Sequence, residues 1–183
     1  LTSSASLTVS EGVLTDTGTV DQYGNFYVLS GGSALNIKEN GGYVEVEEGA
    51  HVTFTPTTLS GLVLNNCSAT LHSGTVANST TVNYYGYLHI SNGGIANVAK
   101  VNFLGHLHVS NGGVANSTTL NGGGTYSSAY MYVSSGGKAN GTTVNGGDGY
   151  LYVESGGVIT DTTLNRYGSL IISSGGAASN TLL

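Results

Sequence analysis

Short segments in which apolar and polar residues alternate recur along the chain. In Tyr87–Ile90 and His106–Val109, aliphatic residues alternate with Tyr or His. This period of two predicts β-strands with aliphatic side chains on one face and aromatic side chains on the other. A second kind of segment, Thr80-Thr81-Val82, predicts another short strand in each unit. Gly-Gly pairs such as Gly112-Gly113 predict the corners between the two strands, where positive φ is expected.

These segments belong to an internal repeat. The stretch from Asn83 to Gly94 is matched closely by Asn102 to Gly113 and by Asn165 to Gly176. From the second Gly of each pair to the next Asn is always 8 residues, so insertions fall after the Asn, and a five-residue insertion lies at Gly122–Ala129. The Asn itself recurs at steps of 19, 19, 24 and 20 residues, at Asn83, Asn102, Asn121, Asn145 and Asn165.

A unit of this length cannot be stable alone, because ordering its backbone costs about 1–2 kcal/mol per residue. Four or five apolar side chains return only about 1.5–3 kcal/mol each, so the units must stack on one another. The repeat therefore predicts an all-β fold, a parallel β-helix (β-solenoid) of about nine turns with ~19 residues per turn. We expect a single solenoid domain over residues 1–183, with regular repeats at about 75–176 and less regular turns at 1–74.

Stacking would turn each repeat position into a column. Two aliphatic columns are predicted inside: Leu88, Leu107, Met131, Leu151 and Leu170, and beside them Ile90, Val109, Val133, Val153 and Ile172. Alanines are predicted to fill a tight corner: Ala77, Ala96, Ala115, Ala139 and Ala178. Two asparagine ladders are predicted: Asn83, Asn102, Asn121, Asn145 and Asn165, and Asn78, Asn97, Asn116 and Asn140.

The outward positions form two further columns rich in Tyr and His. One reads Asn25, Tyr43, Ser68, Tyr87, His106, Tyr130, Tyr150 and Ser169. The other reads Tyr27, Glu45, Thr70, His89, His108, Tyr132, Tyr152 and Ile171. The predicted contact face is Tyr87, His89, His106, His108, Tyr130, Tyr132, Tyr150 and Tyr152.

Two interpretations of this face stay open. Cross-strand packing of aromatic residues alone would stabilise the sheet by about 0.2–1 kcal/mol per pair. Alternatively, the face binds a partner, since Tyr is large, rigid and amphipathic and is enriched in binding surfaces. Histidine has a pKa of roughly 6.5, so we expect the face to gain positive charge between about pH 5 and 7.

Composition narrows the classes of function. Charged residues make up 8% of the chain, against about 25% in ordinary domains. Four basic residues and a net charge of −6 exclude nucleic acid as a partner. No apolar run approaches 18 residues, so we expect no membrane insertion. The 30 glycines leave little room for helices.

Parallel β-helices include enzymes, so paired carboxylates and the cysteine are candidate catalytic groups. Glu45 and Glu47 are two residues apart on one strand, a separation of roughly 7 Å that falls in the window of inverting glycosidases. Lys38 is the one basic residue near them in the sequence, and they are interpreted as an exposed charged patch. Cys67 precedes His72 by five residues, but no third group that would orient the pair is evident. We therefore predict no catalytic residues and no cofactor.

Two groups of residues are candidate metal ligands. Asp148 lies in a Gly-rich segment, but the calcium-binding β-roll needs its Asp at another position and in successive turns. His89 and His108 occupy the same repeat position and could share zinc or nickel, although no carboxylate partner is visible. We therefore predict no metal site and read the histidines as part of the aromatic surface.

The repeat string Ser-Gly-Gly-x-Ala-x-x-Thr-Thr-Val-Asn-x-x-Gly-x-Leu-x-Val resembles the 19-residue repeat of AIDA-type autotransporter adhesins. The resemblance is clean from about Thr75 to Gly176 and looser over Leu7–Gly49. It implies a non-catalytic β-helical stalk of a secreted passenger domain, displayed at the outer-membrane surface of a Gram-negative bacterium as a virulence-associated adhesin.

The resemblance also implies partners and a modification. The partners would be a host or bacterial cell-surface glycan or protein, or further copies of the same chain through self-association. A carbohydrate-binding module or a carbohydrate-active enzyme on a parallel β-helix remains the alternative. In such repeats Ser and Thr can carry O-linked heptose, and the matching pairs here are Thr80/Thr81, Thr118/Thr119, Thr142/Thr143 and Thr162/Thr163.

Overall fold

The regular secondary structure consists of β-strands throughout the part of the chain that the structure, a computed structural model, describes: residues 5–123 and 127–183. The predicted insertion at 122–129 lies partly outside these residues. The strands are β1 (Ser6–Val9), β2 (Leu14–Asp21), β3 (Asn25–Val28), β4 (Ser33–Asn40), β5 (Tyr43–Val46), β6 (His51–Phe54), β7 (Thr57–Ser60), β8 (Val63–Asn65), β9 (Ser68–Leu71), β10 (Thr75–Asn78), β11 (Thr81–Asn83), β12 (Tyr87–Ile90), β13 (Ile95–Asn97), β14 (Lys100–Val101), β15 (His106–Val109), β16 (Val114–Asn116), β17 (Thr119–Asn121), β18 (Ala129–Val133), β19 (Lys138–Asn140), β20 (Thr143–Asn145), β21 (Gly149–Val153), β22 (Val158–Leu164), β23 (Ser169–Ile172) and β24 (Ala177–Leu182).

Each strand pairs in parallel with its equivalent one repeat away. In β12 and β15, for example, Leu88 lies opposite Leu107 and His89 lies opposite His108. The result is a parallel β-solenoid of about nine turns with about 19 residues per turn, which confirms the predicted fold class.

A regular turn contains three strands, whereas the sequence predicted two. The segment Ile95–Asn97 is the strand that was missed, and it pairs with Val114–Asn116 of the next turn. Ala96 points inward and is fully buried, so the alanines lie in a sheet and the prediction of a tight corner was wrong. Three residues are too short to display an alternation in the sequence, and only pairing with neighbouring turns makes such a strand stable.

The turns therefore have three faces. One is the six-stranded sheet of β9, β12, β15, β18, β21 and β23. The other two carry β7, β10, β13, β16 and β19, and β8, β11, β14, β17 and β20, and the long strand β22 joins them into one sheet.

The Gly-Gly corners have two separate physical causes. Gly112 has a φ of +84°, a backbone conformation that residues other than glycine rarely adopt. A Cβ atom on Gly113 would lie 2.2 Å from the carbonyl oxygen of Ile90 in the previous turn, so any side chain would block stacking. The predicted role of these pairs is confirmed, although only the first glycine needs positive φ.

The core consists of the predicted aliphatic columns. Leu107 and Val109 are fully buried, as are their equivalents in the neighbouring turns. The last members of the two columns are less buried: Leu170 is only partly buried, and Ile172 is 47% exposed. Burial of an aliphatic position thus depends on a turn on both sides.

Both asparagine ladders form. Along the first, the side-chain amide of Asn102 donates to Asn83 at 2.8 Å, and Asn121 donates to Asn102 at 2.9 Å. Along the second, Asn97 donates to Asn78 at 3.0 Å. The second ladder extends one turn beyond its last asparagine, where the Thr160 hydroxyl donates to the amide oxygen of Asn140.

The paired threonines face opposite sides of their strand. Thr119 is half-buried and points outward, whereas Thr118 is 1% exposed, and its hydroxyl has no hydrogen-bond partner among the described residues. The same burial without a partner holds for the first threonine of each of the other pairs, Thr80, Thr142 and Thr162. Alternation thus sends the first threonine of each pair into the core and the second to the outer face.

The less regular turns have a core of their own. It contains Phe26 and Ile37 and lies between two three-stranded sheets, β1-β3-β5 and β2-β4-β6. Buried Glu39, on the inward face of β4, hydrogen-bonds to Thr70 in β9 and to His72, which directly follows β9. This polar contact marks the junction between the two hydrophobic clusters.

Candidate contact surface: the aromatic strip

The predicted contact face forms a continuous surface on four adjacent strands, β12, β15, β18 and β21. We call these eight residues the aromatic strip: Tyr87, His89, His106, His108, Tyr130, Tyr132, Tyr150 and Tyr152. All eight side chains are partly exposed, while their sequence neighbours Leu88, Leu107, Met131 and Leu151 are fully buried. The alternation that predicted an outward position is confirmed for every member.

The rings stack along two parallel ladders. In the first ladder the centroids of Tyr87 and His106 lie 4.5 Å apart, and those of His106 and Tyr130 lie 4.9 Å apart. Interplanar angles are 9° and 13°, so the rings lie face to face. The ladder continues to Tyr150, 5.7 Å beyond Tyr130.

The second ladder has the same geometry. His89 and His108 are 5.0 Å apart, His108 and Tyr132 are 4.8 Å apart, and Tyr132 and Tyr152 are 5.0 Å apart. Rings that share a strand are separated by 6.2–6.4 Å across the strip. The strip is thus a two-column array whose axial period is that of the stacked strands.

Stacking determines what the strip presents to solvent. Each inner ring contacts a ring above and a ring below, and each end ring contacts one, so within the ladders solvent meets ring edges that carry phenol hydroxyls and imidazole nitrogens. No strip side chain makes a hydrogen bond to another group of residues 5–123 and 127–183. Both interpretations of the sequence are therefore compatible with this geometry: the rings pack on one another, and their polar edges remain available to a partner.

The histidines of the strip stay uncharged at neutral pH. The pKa of His108 is lowered to about 4, mainly by burial between aromatic neighbours and to a smaller extent by the nearby His89 and His106. Burial also lowers the pKa of His89 and of His106. The expectation that the strip gains positive charge between pH 5 and 7 is thus wrong for His108, because stacking removes the water that would solvate an imidazolium ion.

At its N-terminal end the strip departs from the predicted columns. Tyr43 was expected in line with Ser68 and Tyr87, but its ring approaches His89 edge-on at 5.7 Å and 70°. Thr70, expected to point outward, is 3% exposed. Its backbone NH donates to the carbonyl of Gly42, and its hydroxyl donates to Glu39, so the register shifts where the less regular turns end.

The two candidate catalytic carboxylates make separate contacts. Glu45 accepts a hydrogen bond from the Tyr43 hydroxyl at 3.3 Å, whereas Glu47 accepts one from the backbone NH of Ser30 at 3.0 Å. Within the described ranges no three His, Cys, Asp or Glu side chains are placed to hold a metal ion. The imidazoles of His89 and His108 stack face to face and so do not converge on a shared point.

One group of functional interest was missed in the sequence. Glu39 is fully buried and bonds both the backbone NH and the ring Nδ1 of His72, each at 2.8 Å. This is an orienting carboxylate that sequence spacing did not reveal for His72. The signal was available: Ile37, Lys38 and Glu39 alternate, so a period of two places Glu39 on the buried face with Ile37.

No protein-family model matches the chain, and no curated protein matches it. Among solved structures, the chain is similar to the crystal structure of a TibC-catalyzed hyper-glycosylated TibA fragment. The identity is 25%, the match covers 97% of this chain and 88% of the other, and the TM-score is 0.36. A likeness at that TM-score carries no functional conclusion. Along the described chain, no helix is long and apolar enough to cross a membrane.

Proposed function

We propose that this chain is a non-catalytic repeat region of a surface-displayed or secreted bacterial adhesin and that the aromatic strip is its contact surface. The observation that carries the proposal is the strip itself, eight partly exposed rings with unpaired polar edges on four adjacent strands. The resemblance of the repeat to AIDA-type stalks supports display at the surface of a Gram-negative bacterium.

The strip suits contact with another protein surface, and a second copy of this chain is one such surface. Within the ladders the faces of adjacent rings cover one another, so sugar units cannot stack on them there. Tyrosine hydroxyls and neutral imidazoles both donate and accept hydrogen bonds, which lets one surface pair with many others. Few charges lie nearby, so contact requires little desolvation of ionised groups.

The solenoid supplies the rigidity and the multiplicity that adhesion requires. Rings held at a fixed period by paired strands lose little entropy when a partner binds. Single contacts would be weak, but repeated strips on many displayed copies add up through avidity.

The test is cell aggregation and adhesion with the chain displayed on bacteria. The variant Tyr130/Tyr132/Tyr150/Tyr152→Ser removes half of the strip and should abolish aggregation while the circular dichroism spectrum stays that of a β-solenoid. The matched control is Tyr84/Tyr85→Ser, which removes exposed tyrosines outside the strip and should leave aggregation unchanged. Undiminished aggregation by a folded strip variant would show that the rings serve packing alone.

A further inference from the structure

A polar cleft opens beside the N-terminal end of the aromatic strip, where β5 and β9 face each other. We call it the junction cleft; its volume is about 190 Å³. Side chains from both sides of the junction line it, including Tyr43, Glu45, His72, His89, Ser110 and Asn111. Drug-sized sites measure about 300–1,000 Å³, so this cleft has room for one small ring.

The cleft exists because the stacking of turns is interrupted here. β5 ends the sheet β1-β3-β5, and β9 begins the six-stranded sheet, so the two strands belong to different sheets. They are connected by the hydrogen bond from the Thr70 NH to the Gly42 carbonyl at 3.1 Å and by the one from the Val44 NH to the Thr70 hydroxyl at 2.9 Å. A continuous ladder would close the gap, whereas these contacts leave a recess between the sheets.

The floor of the cleft is held rigidly from below. The carboxylate of Glu39 accepts hydrogen bonds from the Thr70 hydroxyl at 2.7 Å and from the His72 backbone NH at 2.8 Å. The His72 ring stacks on Phe54 with centroids 4.5 Å apart and planes at 5°. A site built on side chains fixed in this way binds its ligand without first having to order itself.

His72 also has a defined hydrogen-bonding role toward the cleft. Its Nδ1 lies 2.8 Å from Glu39, and because a carboxylate oxygen accepts, Nδ1 carries the proton and donates. The other ring nitrogen, Nε2, has no partner among the described residues and serves as an acceptor when the ring is neutral. The side chain is 5% exposed, and it lines the cleft.

The walls add complementary groups. Glu45 is exposed and presents carboxylate acceptors beside the Tyr43 hydroxyl, while Asn111 and Ser110 present amide and hydroxyl groups from the other side. His89 is the last ring of its ladder: His108 covers one face, and Tyr43 meets it edge-on. Acceptors, donors and an aromatic ring thus converge on one recess.

We propose that the junction cleft binds a single sugar unit of a neutral, hydroxyl-rich saccharide. Each sugar hydroxyl both donates and accepts, which matches a wall of carboxylate, amide, hydroxyl and imidazole groups. Glu45 is the one carboxylate that lines the described cleft, which favours a hydroxyl-rich ligand over a divalent cation. The cleft shares one residue, His89, with the aromatic strip. Its proposed ligand does not depend on the protein contact proposed for the strip.

The experiment is saturation-transfer-difference NMR on the whole chain with the methyl glycosides of glucose, galactose, mannose and N-acetylglucosamine as probes. At least one probe should show transfer that is weakened tenfold or more in Glu45→Gln and also in Ser110→Ala. The matched control is Glu154→Gln, which removes the same charge at an exposed position after β21, outside the cleft. That control should bind like the parent chain.

Three results would overturn the proposal. No transfer from any probe at about 10 mM, well above the ~1 mM Kd of a weak site, would show that no sugar binds. Equal loss in Glu154→Gln would show that binding follows net charge. Displacement of the sugar by calcium chloride, with calcium binding lost in Glu45→Gln, would assign the cleft to a cation. Cell aggregation measured on Glu45→Gln keeps the two proposals distinct, since it should be unchanged.

Discussion

Replacing Thr118 by Val should make the protein more stable. Thr118 is 1% exposed, and its hydroxyl has no partner among the described residues, so the folded state bears the cost of removing that group from water. An unsatisfied buried hydroxyl costs about 1–3 kcal/mol, and valine has nearly the same shape without the polar atom. The previous turn already has an apolar residue, Ala99, at the equivalent position, and Ala99 is fully buried.

We expect Thr118→Val to raise the free energy of unfolding by about 1–2 kcal/mol. For a chain of this size each kcal/mol shifts the Tm by roughly 2–4 °C, so the Tm should rise by about 2–8 °C. Urea titration and differential scanning calorimetry on the two chains measure both quantities. The matched control is Thr119→Val, because Thr119 is half-buried on the outer face of the same strand, and its change should stay within about 0.5 kcal/mol.

A lower Tm for Thr118→Val would refute this reasoning. It would mean that the hydroxyl is satisfied in solution, for example by a buried water molecule within the solenoid. An equal rise in both variants would instead show that valine stabilises the strand through β-propensity alone.

Three further predictions concern the core, the strip and the ladders. Leu107→Asp places a carboxylate at a fully buried position and should lower the free energy of unfolding by about 4 kcal/mol or more in urea titration. Asn111→Asp, at an exposed corner, should change it only slightly. Equal effects of the two substitutions would refute the assigned inner and outer faces. His108 has a pKa of about 4 in the folded chain and about 6.5 in the unfolded chain, so the unfolded chain binds more protons between these pH values. The free energy of unfolding is therefore at its full value above pH 6.5 and falls as the pH drops from 6.5 through 4. Tm measured against pH should fall less steeply for His108→Gln than for the parent chain or for a His51→Gln control. Asn121→Ala removes the hydrogen bonds of 2.9 and 2.7 Å to its two ladder neighbours and should lower the free energy of unfolding by about 1–3 kcal/mol in the same urea assay. An unchanged free energy of unfolding would mean that water replaces the lost hydrogen bonds.

Features that repeat could be predicted from the sequence. The alternation in Tyr87–Ile90 assigned inner and outer faces, and the 8-residue spacing from Gly-Gly to Asn fixed which positions stack. Because the same sequence pattern recurs in every turn, several copies of the repeat together define which positions stack on one another. The members of the aromatic strip and both asparagine ladders followed from that register alone.

Other features arise only when turns contact one another. The strand Ile95–Asn97 exists because it pairs with its neighbours, and the face-to-face stacking of the rings lowers the pKa of His108 by excluding water. The junction cleft has no repeated signature, because it occurs once, where Thr70 and His72 meet Glu39 from a strand 31 and 33 residues earlier in the chain. The repeat thus determined from sequence which side chains face outward. Their hydrogen-bonding state, their charge and the recess beside them depend on contacts between residues distant in the chain, which only the tertiary structure brings together.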